Sequence, residues 1–193
     1  MKPKDITLVQ RLLSLDKPYF SPADLEKILG QKRPALYVTL NRLVRYGVLV
    51  RLRQGVYQAS LGDADLARIA NQLVYPSYLS FESALSRYGI LSQVPYTLTF
   101  ATTHRSQSMT LGDTMVEFRQ LKGDLFFGYT LQGGLYVAEP EKALLDQLYM
   151  VSRGLASLTL EALNLSSLDP TRLRTYAARF PETVQAAIGH MLA

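Results

Sequence analysis

The chain has 193 residues, 48% of them hydrophobic and 19% charged, which fits one medium or two small globular domains and excludes a disordered chain. It has no cysteine, so it has no disulfide framework, no thiolate zinc site and no cysteine nucleophile. The net charge of +5 is unevenly spread: residues 1–62 hold eleven Lys/Arg and four Asp/Glu (+7), residues 63–193 hold ten and twelve (−2).

The opening residues lack the apolar run of a signal peptide, and no stretch approaches the roughly 18 apolar residues of a membrane span; a cytoplasmic location is expected. "DITLVQRLLSL" places Ile6, Val9, Leu12 and Leu13 at helical spacing, predicting a first helix over 5–15. "SPADLEKILG" predicts a second: Ser21 as N-cap, Pro22 at the first helical position, Asp24 at capping-box spacing and Gly30 as terminator. Leu25, Ile28 and Leu29 are its expected buried stripe.

A third helix is expected over about 33–46, stopped by Gly47, with Leu36, Leu40, Leu43 and Val44 facing inward. Its other side presents Pro34, Ala35, Val38, Asn41, Arg42 and Arg45, with Tyr37 on the flank, expected to pack against the wing or first helix. "VLVRLRQGVYQA" predicts strands around Val48–Arg53 and Val56–Gln58 joined by a Gln54-Gly55 turn, with Arg51 and Arg53 on one face. Three short helices followed by a basic hairpin are the pattern of a winged helix-turn-helix. Between Glu26 and Asp63 stand seven basic residues and no acid. A slim helix of this kind enters the major groove, so double-stranded DNA is the expected partner. Lys32, Arg33, Val38 and Asn41 are candidates for base edges; Arg42, Arg45, Arg51 and Arg53 are candidates for phosphates.

The composition changes near Gly62-Asp63, which predicts domains of about 1–60 and 63–193. "DADLARIANQLVYPSYLSFESALSRYGIL" reads as two helices separated by Pro76. The first carries Ala67, Ile69, Ala70, Leu73 and Val74 as its apolar set; the second is capped by Ser80 and ended by Gly89. "PYTLTFATT" and "TMVEFRQL" read as strands, and "LFFGYTLQGGLYVAEP" as a hairpin turning at Gly133-Gly134. Pro140 begins a helix with Ala143, Leu144 and Leu148 at core spacing; Glu139 and Glu141 suit its positive end, and Lys142 and Asp146 form an i,i+4 pair. Residues 157–193 add helical segments broken by Asp169-Pro170 and Pro181. The expected class is α+β, a winged helix-turn-helix followed by a mixed α/β domain.

Catalysis is not expected. His104 and His190 lack metal-ligand spacing, phosphate-loop and nucleophile-elbow motifs are missing, and Glu139, Glu141 and Asp146 do not converge around a helix start. No cofactor is expected.

"FSPADLEKILG", "LYVTLNRLVRYGVLVRLRQGVY", "YPSYLSFESALSRYGI" and "AEPEKALLDQLY", in that order, resemble the AbiEi antitoxins of bacterial abortive-infection systems, over most of residues 20–150. The resemblance implies an N-terminal winged helix that binds inverted repeats in its own promoter and represses it. It also implies a C-terminal antitoxin-like part opposing a nucleotidyltransferase-like toxin, without requiring a stable complex. Family antitoxins are usually longer, leaving room here for a small C-terminal domain only. DNA-binding positions matching the family pattern are Lys32, Arg33, Tyr37, Asn41, Arg42 and Arg45, with Arg51, Arg53 and Gln54 on the wing. Two alternatives remain open from sequence: an orphan regulator whose C-terminal domain binds a ligand or dimerises, and an adaptor whose winged helix binds protein.

Overall fold

Every element of the N-terminal unit follows from a local signal. A computed structural model describes residues 3–62, 65–159 and 163–192. It divides into two units, Met1–Ile69 with Thr110–Asp113, and Ala70–Met109 with Thr114–Ala193.

In the first unit, α1 spans Pro3–Leu13, α2 Pro22–Leu29 and α3 Arg33–Arg45. Helix α1 ends two residues earlier than its pattern suggests. Val9 and Leu12 are buried, but Ile6 and Leu13 stay exposed, so the inward stripe is narrower than the apolar spacing. Helix α2 has the full capping box: Ser21 Oγ accepts from Asp24 N–H while Asp24 accepts from Ser21 N–H, and Gly30 closes it at φ 64°. That positive φ costs glycine nothing and most other residues a steric clash. Leu25 is fully buried; Ile28 and Leu29 are half-buried.

Strands β1 (Leu49–Arg53) and β2 (Val56–Ala59) pair antiparallel around Gln54-Gly55. Their register slips between Arg51 and Arg53, a bulge that turns Leu52 inward and leaves both arginines exposed. Phe20 bridges to Tyr57, tying the segment before α2 to the hairpin. Leu25, Leu36, Leu40, Leu43, Val48 and Tyr57 fill the core beneath. Three helices and a two-stranded wing make the expected winged helix.

The second unit is built around a six-stranded mixed sheet. Helix α4 (Leu66–Leu73), which starts in the first unit, leads into β3 (Ser77–Leu79), α5 (Phe81–Arg87), β4 (Thr97–Thr102), β5 (Gln107–Leu111) and β6 (Thr114–Gln120). Then come β7 (Tyr129–Gln132), β8 (Leu135–Ala138), α6 (Pro140–Ser152), α7 (Pro170–Ala177) and α8 (Glu182–Met191). The strand order is β5-β6-β4-β3-β8-β7. Strand β4 runs parallel to β6 and antiparallel to β3; β7 and β8 form the expected hairpin. Helix α5 packs on β4 and α6, and α6 carries α7 and α8.

Two strands were hidden in the sequence. Strand β3 lies at the centre of the sheet in the segment read as a break at Pro76, because a three-residue strand has no room to show alternation. Strand β5, an edge strand of mostly polar residues, carries no hydrophobic period. At the other end, Asp169 caps α7 through Thr171 and Arg172 N–H, and Pro181 precedes α8, so both prolines start helices. The mixed α+β class stands as expected.

Candidate nucleic-acid interface

At 100° per residue, Leu36, Leu40 and Leu43 fill one side of α3 and are buried to 1% or less exposed. Pro34, Val38, Asn41 and Arg45 fall within about 60° of arc on the opposite side. Val38 is 72% exposed, which is unusual for a β-branched aliphatic side chain and leaves its methyl groups available for an apolar contact. Lys32 is the N-cap of α3 but makes no side-chain cap bond, and Arg33 follows at 78% side-chain exposure. No acid of α3 occupies its first turn, so Lys32 and Arg33 stand at the positive end of the helix dipole with no acid of their own helix beside them.

All ten residues proposed from sequence are solvent-exposed: Lys32, Arg33, Tyr37, Val38, Asn41, Arg42, Arg45, Arg51, Arg53 and Gln54. Val38, Asn41 and Arg45 share the outward row. Tyr37 and Arg42 flank it on either side, and Arg51, Arg53 and Gln54 lie on the wing. Tyr37, expected to be packed, is 50% exposed. Lys32, Arg45 and Arg51 form no ion pair among the described residues. Arg33 Nε approaches Glu26 Oε2 only to 3.9 Å, and Arg42 Nη2 lies 3.8 Å from Asp5 Oδ1. Both pairs are within the N-terminal unit. Asp5 was not foreseen: its side chain is buried, and its pairing crosses from α1 to α3, which no local pattern records.

A second polar cluster lies within the sheet-and-helix unit, where the "YLSFESAL" and "AEPEKALLD" segments meet. Lys142 and Asp146 form the expected i,i+4 ion pair, with both side chains fully buried. Lys142 Nζ donates to Tyr78 Oη (2.8 Å), and Asp146 Oδ2 accepts from Tyr78 Oη (3.0 Å) and Ser80 Oγ (2.8 Å). Ser80 therefore does not cap α5 with its side chain as expected; its hydroxyl is committed to Asp146. Lys142 Nζ also sits 5.1–5.3 Å from the ring centroids of Tyr78, Phe127 and Phe180. Burial pushes Lys142 below the ordinary lysine range, partly opposed by Asp146, and pushes Asp146 above the ordinary aspartate range against Lys142, Ser80 and Tyr78.

A separate set of bonds joins neighbouring residues of the same segments. Gln147 Nε2 donates to Glu82 Oε1 (3.0 Å), and Arg119 holds Glu82 by two bonds of 2.9 and 3.0 Å and Glu117 by one of 3.1 Å. Glu139 and Glu141 stand at the N-cap and first turn of α6 as expected, and they also hold α7: Glu139 accepts from Tyr176 Oη (2.5 Å) and Glu141 from Asp169 N–H (2.8 Å). Phe81, between Ser80 and Glu82, has φ 54°, a strained conformation held by this packing. The "AEPEKALLD" segment is thus a buried packing element. No group of three or more His, Cys, Asp or Glu among the described residues is placed to hold a metal ion.

Residues 8–60 match the family described as "Transcriptional regulator, AbiEi antitoxin". The resemblance read from the sequence is borne out over that stretch, which is the winged helix. The whole chain is similar in fold to the RV2827C protein from Mycobacterium tuberculosis, with a TM-score of 0.70 over 77% of that chain. At 15% identity this likeness is one of fold alone. No curated protein matches the sequence. Among the described residues, no helix is long and apolar enough to cross a membrane.

Proposed function

We propose that residues 1–60 are a promoter-binding module and residues 63–193 an antitoxin-like domain, and that the protein represses its own operon in the cytoplasm while opposing a nucleotidyltransferase-like toxin. The observation that carries the DNA reading is the outward row of α3. Val38, Asn41 and Arg45 stand together, cations flank the row at the helix start and on the wing, and Lys32, Arg45 and Arg51 form no ion pair among the described residues. An α-helix fits the major groove, where Asn pairs bidentately with adenine, Arg with guanine, and Val contacts a thymine methyl. In this reading Lys32, Arg33, Val38 and Asn41 meet base edges, Tyr37 and Gln54 lie against the flanking backbone, and Arg42, Arg45, Arg51 and Arg53 bind phosphate.

The toxin arm rests on the family match and on the order of the C-terminal motifs. It needs no direct contact between the proteins. The proposal is tested by footprinting on the DNA upstream of the gene. Protection of paired inverted repeats, lost when the repeats are scrambled, supports it; no protection, or protection indifferent to scrambling, refutes sequence-specific repression.

A further inference from the structure

Beside the outward row of α3 is a solvent-open notch of about 310 Å³ between α1, the end of α2 and α3. Its floor is aliphatic: Leu8, Ile28 and Leu29 are half-buried and pack on the core below. Its rim carries two guanidiniums from different helices, Arg11 and Arg42. Neither is spent. Arg11 Nη1 donates to Ile28 O at 3.1 Å, which anchors the group and leaves most of its five N–H donors available. Arg42 is steadied by the buried Asp5 carboxylate at 3.8 Å while 44% of its side chain stays exposed. Thr39 adds a hydroxyl from α3, and Gln31 adds a carboxamide whose buried Oε1 has no partner among the described residues.

An aliphatic floor beneath a cationic rim suits a sugar–phosphate unit: the deoxyribose lies on carbon while the phosphate takes guanidinium N–H and hydroxyl donors. The notch shares Arg42 with the DNA-facing flank of α3. A strand bordering the major groove that receives α3 therefore passes beside it, as backbone passes the helices preceding a recognition helix. We propose that this notch seats one backbone phosphate of the bound duplex, with Arg11 and Thr39 as DNA contacts in addition to Arg42 and with Asp5 as the residue that positions Arg42. This rests on the DNA-binding reading above.

The test measures affinity for upstream DNA and for unrelated duplex across a salt series, using the full chain and its Arg11→Met and Arg11→Lys variants. Arg11→Met is expected to weaken both duplexes by a similar factor and to make the slope of log affinity against log salt shallower by about 0.9, one phosphate contact. Arg11→Lys, which keeps the charge, is expected to retain the wild-type slope. A wild-type slope in Arg11→Met overturns the seat while leaving the DNA reading intact. A lost slope in Arg11→Lys also overturns it, because the arginine then acts through its bond to Ile28. Absence of DNA binding by the wild-type protein overturns both readings.

Discussion

Asn41 and Arg45 are one helical turn apart on the same outward row, yet they are expected to behave differently. Asn carries a donor and an acceptor in fixed geometry, so Asn41→Ala should cost about 1–3 kcal/mol on the preferred site and little elsewhere. Arg45, nearer the helix end, should weaken all duplexes about equally when changed to Ala, with a shallower salt dependence; competition binding with matched and mismatched sites separates the two outcomes. Equal losses on every sequence from Asn41→Ala would mean that it does not read bases. Gly128 offers a check in the other unit. At φ 67°, an added Cβ would lie 3.1 Å from Lys142 Cγ and 3.2 Å from Tyr176 Cε2. Gly128→Ala should therefore lower stability by about 1–3 kcal/mol in denaturant unfolding, from backbone strain and overpacking together.

At the scale of elements, α2 and α6 show two uses of charge. Burial raises the Asp24 pKa, but Lys17 and Ser21 outweigh it and hold the carboxyl below the ordinary aspartate value. A depressed folded pKa means that its stabilisation is complete above the unfolded value and is lost as pH falls through the folded one. Ser21→Ala, which removes the cap, should cost about 1 kcal/mol at neutral pH. In α6 the charges are inside. Lys142→Met or Asp146→Leu alone should each cost about 3–5 kcal/mol by leaving a buried charge unpaired, while the double variant recovers most of that loss. Additive losses in a double-mutant cycle would contradict the coupling. The helices were legible because caps and prolines act within a few residues. The burial of Lys142 and Asp146 was not, since i,i+4 spacing describes a surface pair equally well and only Tyr78, Phe127 and Phe180, brought from elsewhere in the chain, make it an interior one. Strand β3 escaped notice for a similar reason: its place at the sheet centre is set by its neighbours β4 and β8.

For the whole molecule, the concentration of cations in the first third of the chain was readable by counting, and the structure leaves exposed those from Arg11 to Arg53. What counting could not give is how Arg42 is held, because Asp5 and Arg42 are far apart in sequence and meet only when α1 packs on α3. Co-expression with a neighbouring toxin gene addresses the second proposed activity. Rescue of growth by both the wild-type chain and the Asn41→Ala variant would show that toxin opposition does not require operator reading; loss of rescue in the variant would tie the two together.

The most direct measurement is the affinity of the protein for its upstream DNA as salt is raised from low to moderate concentration. If α3 and the wing form one cationic binding surface, log affinity falls linearly with log salt, at about 0.9 per phosphate contacted and several contacts in all. An affinity that does not change with salt, or no binding at any concentration, would contradict the account.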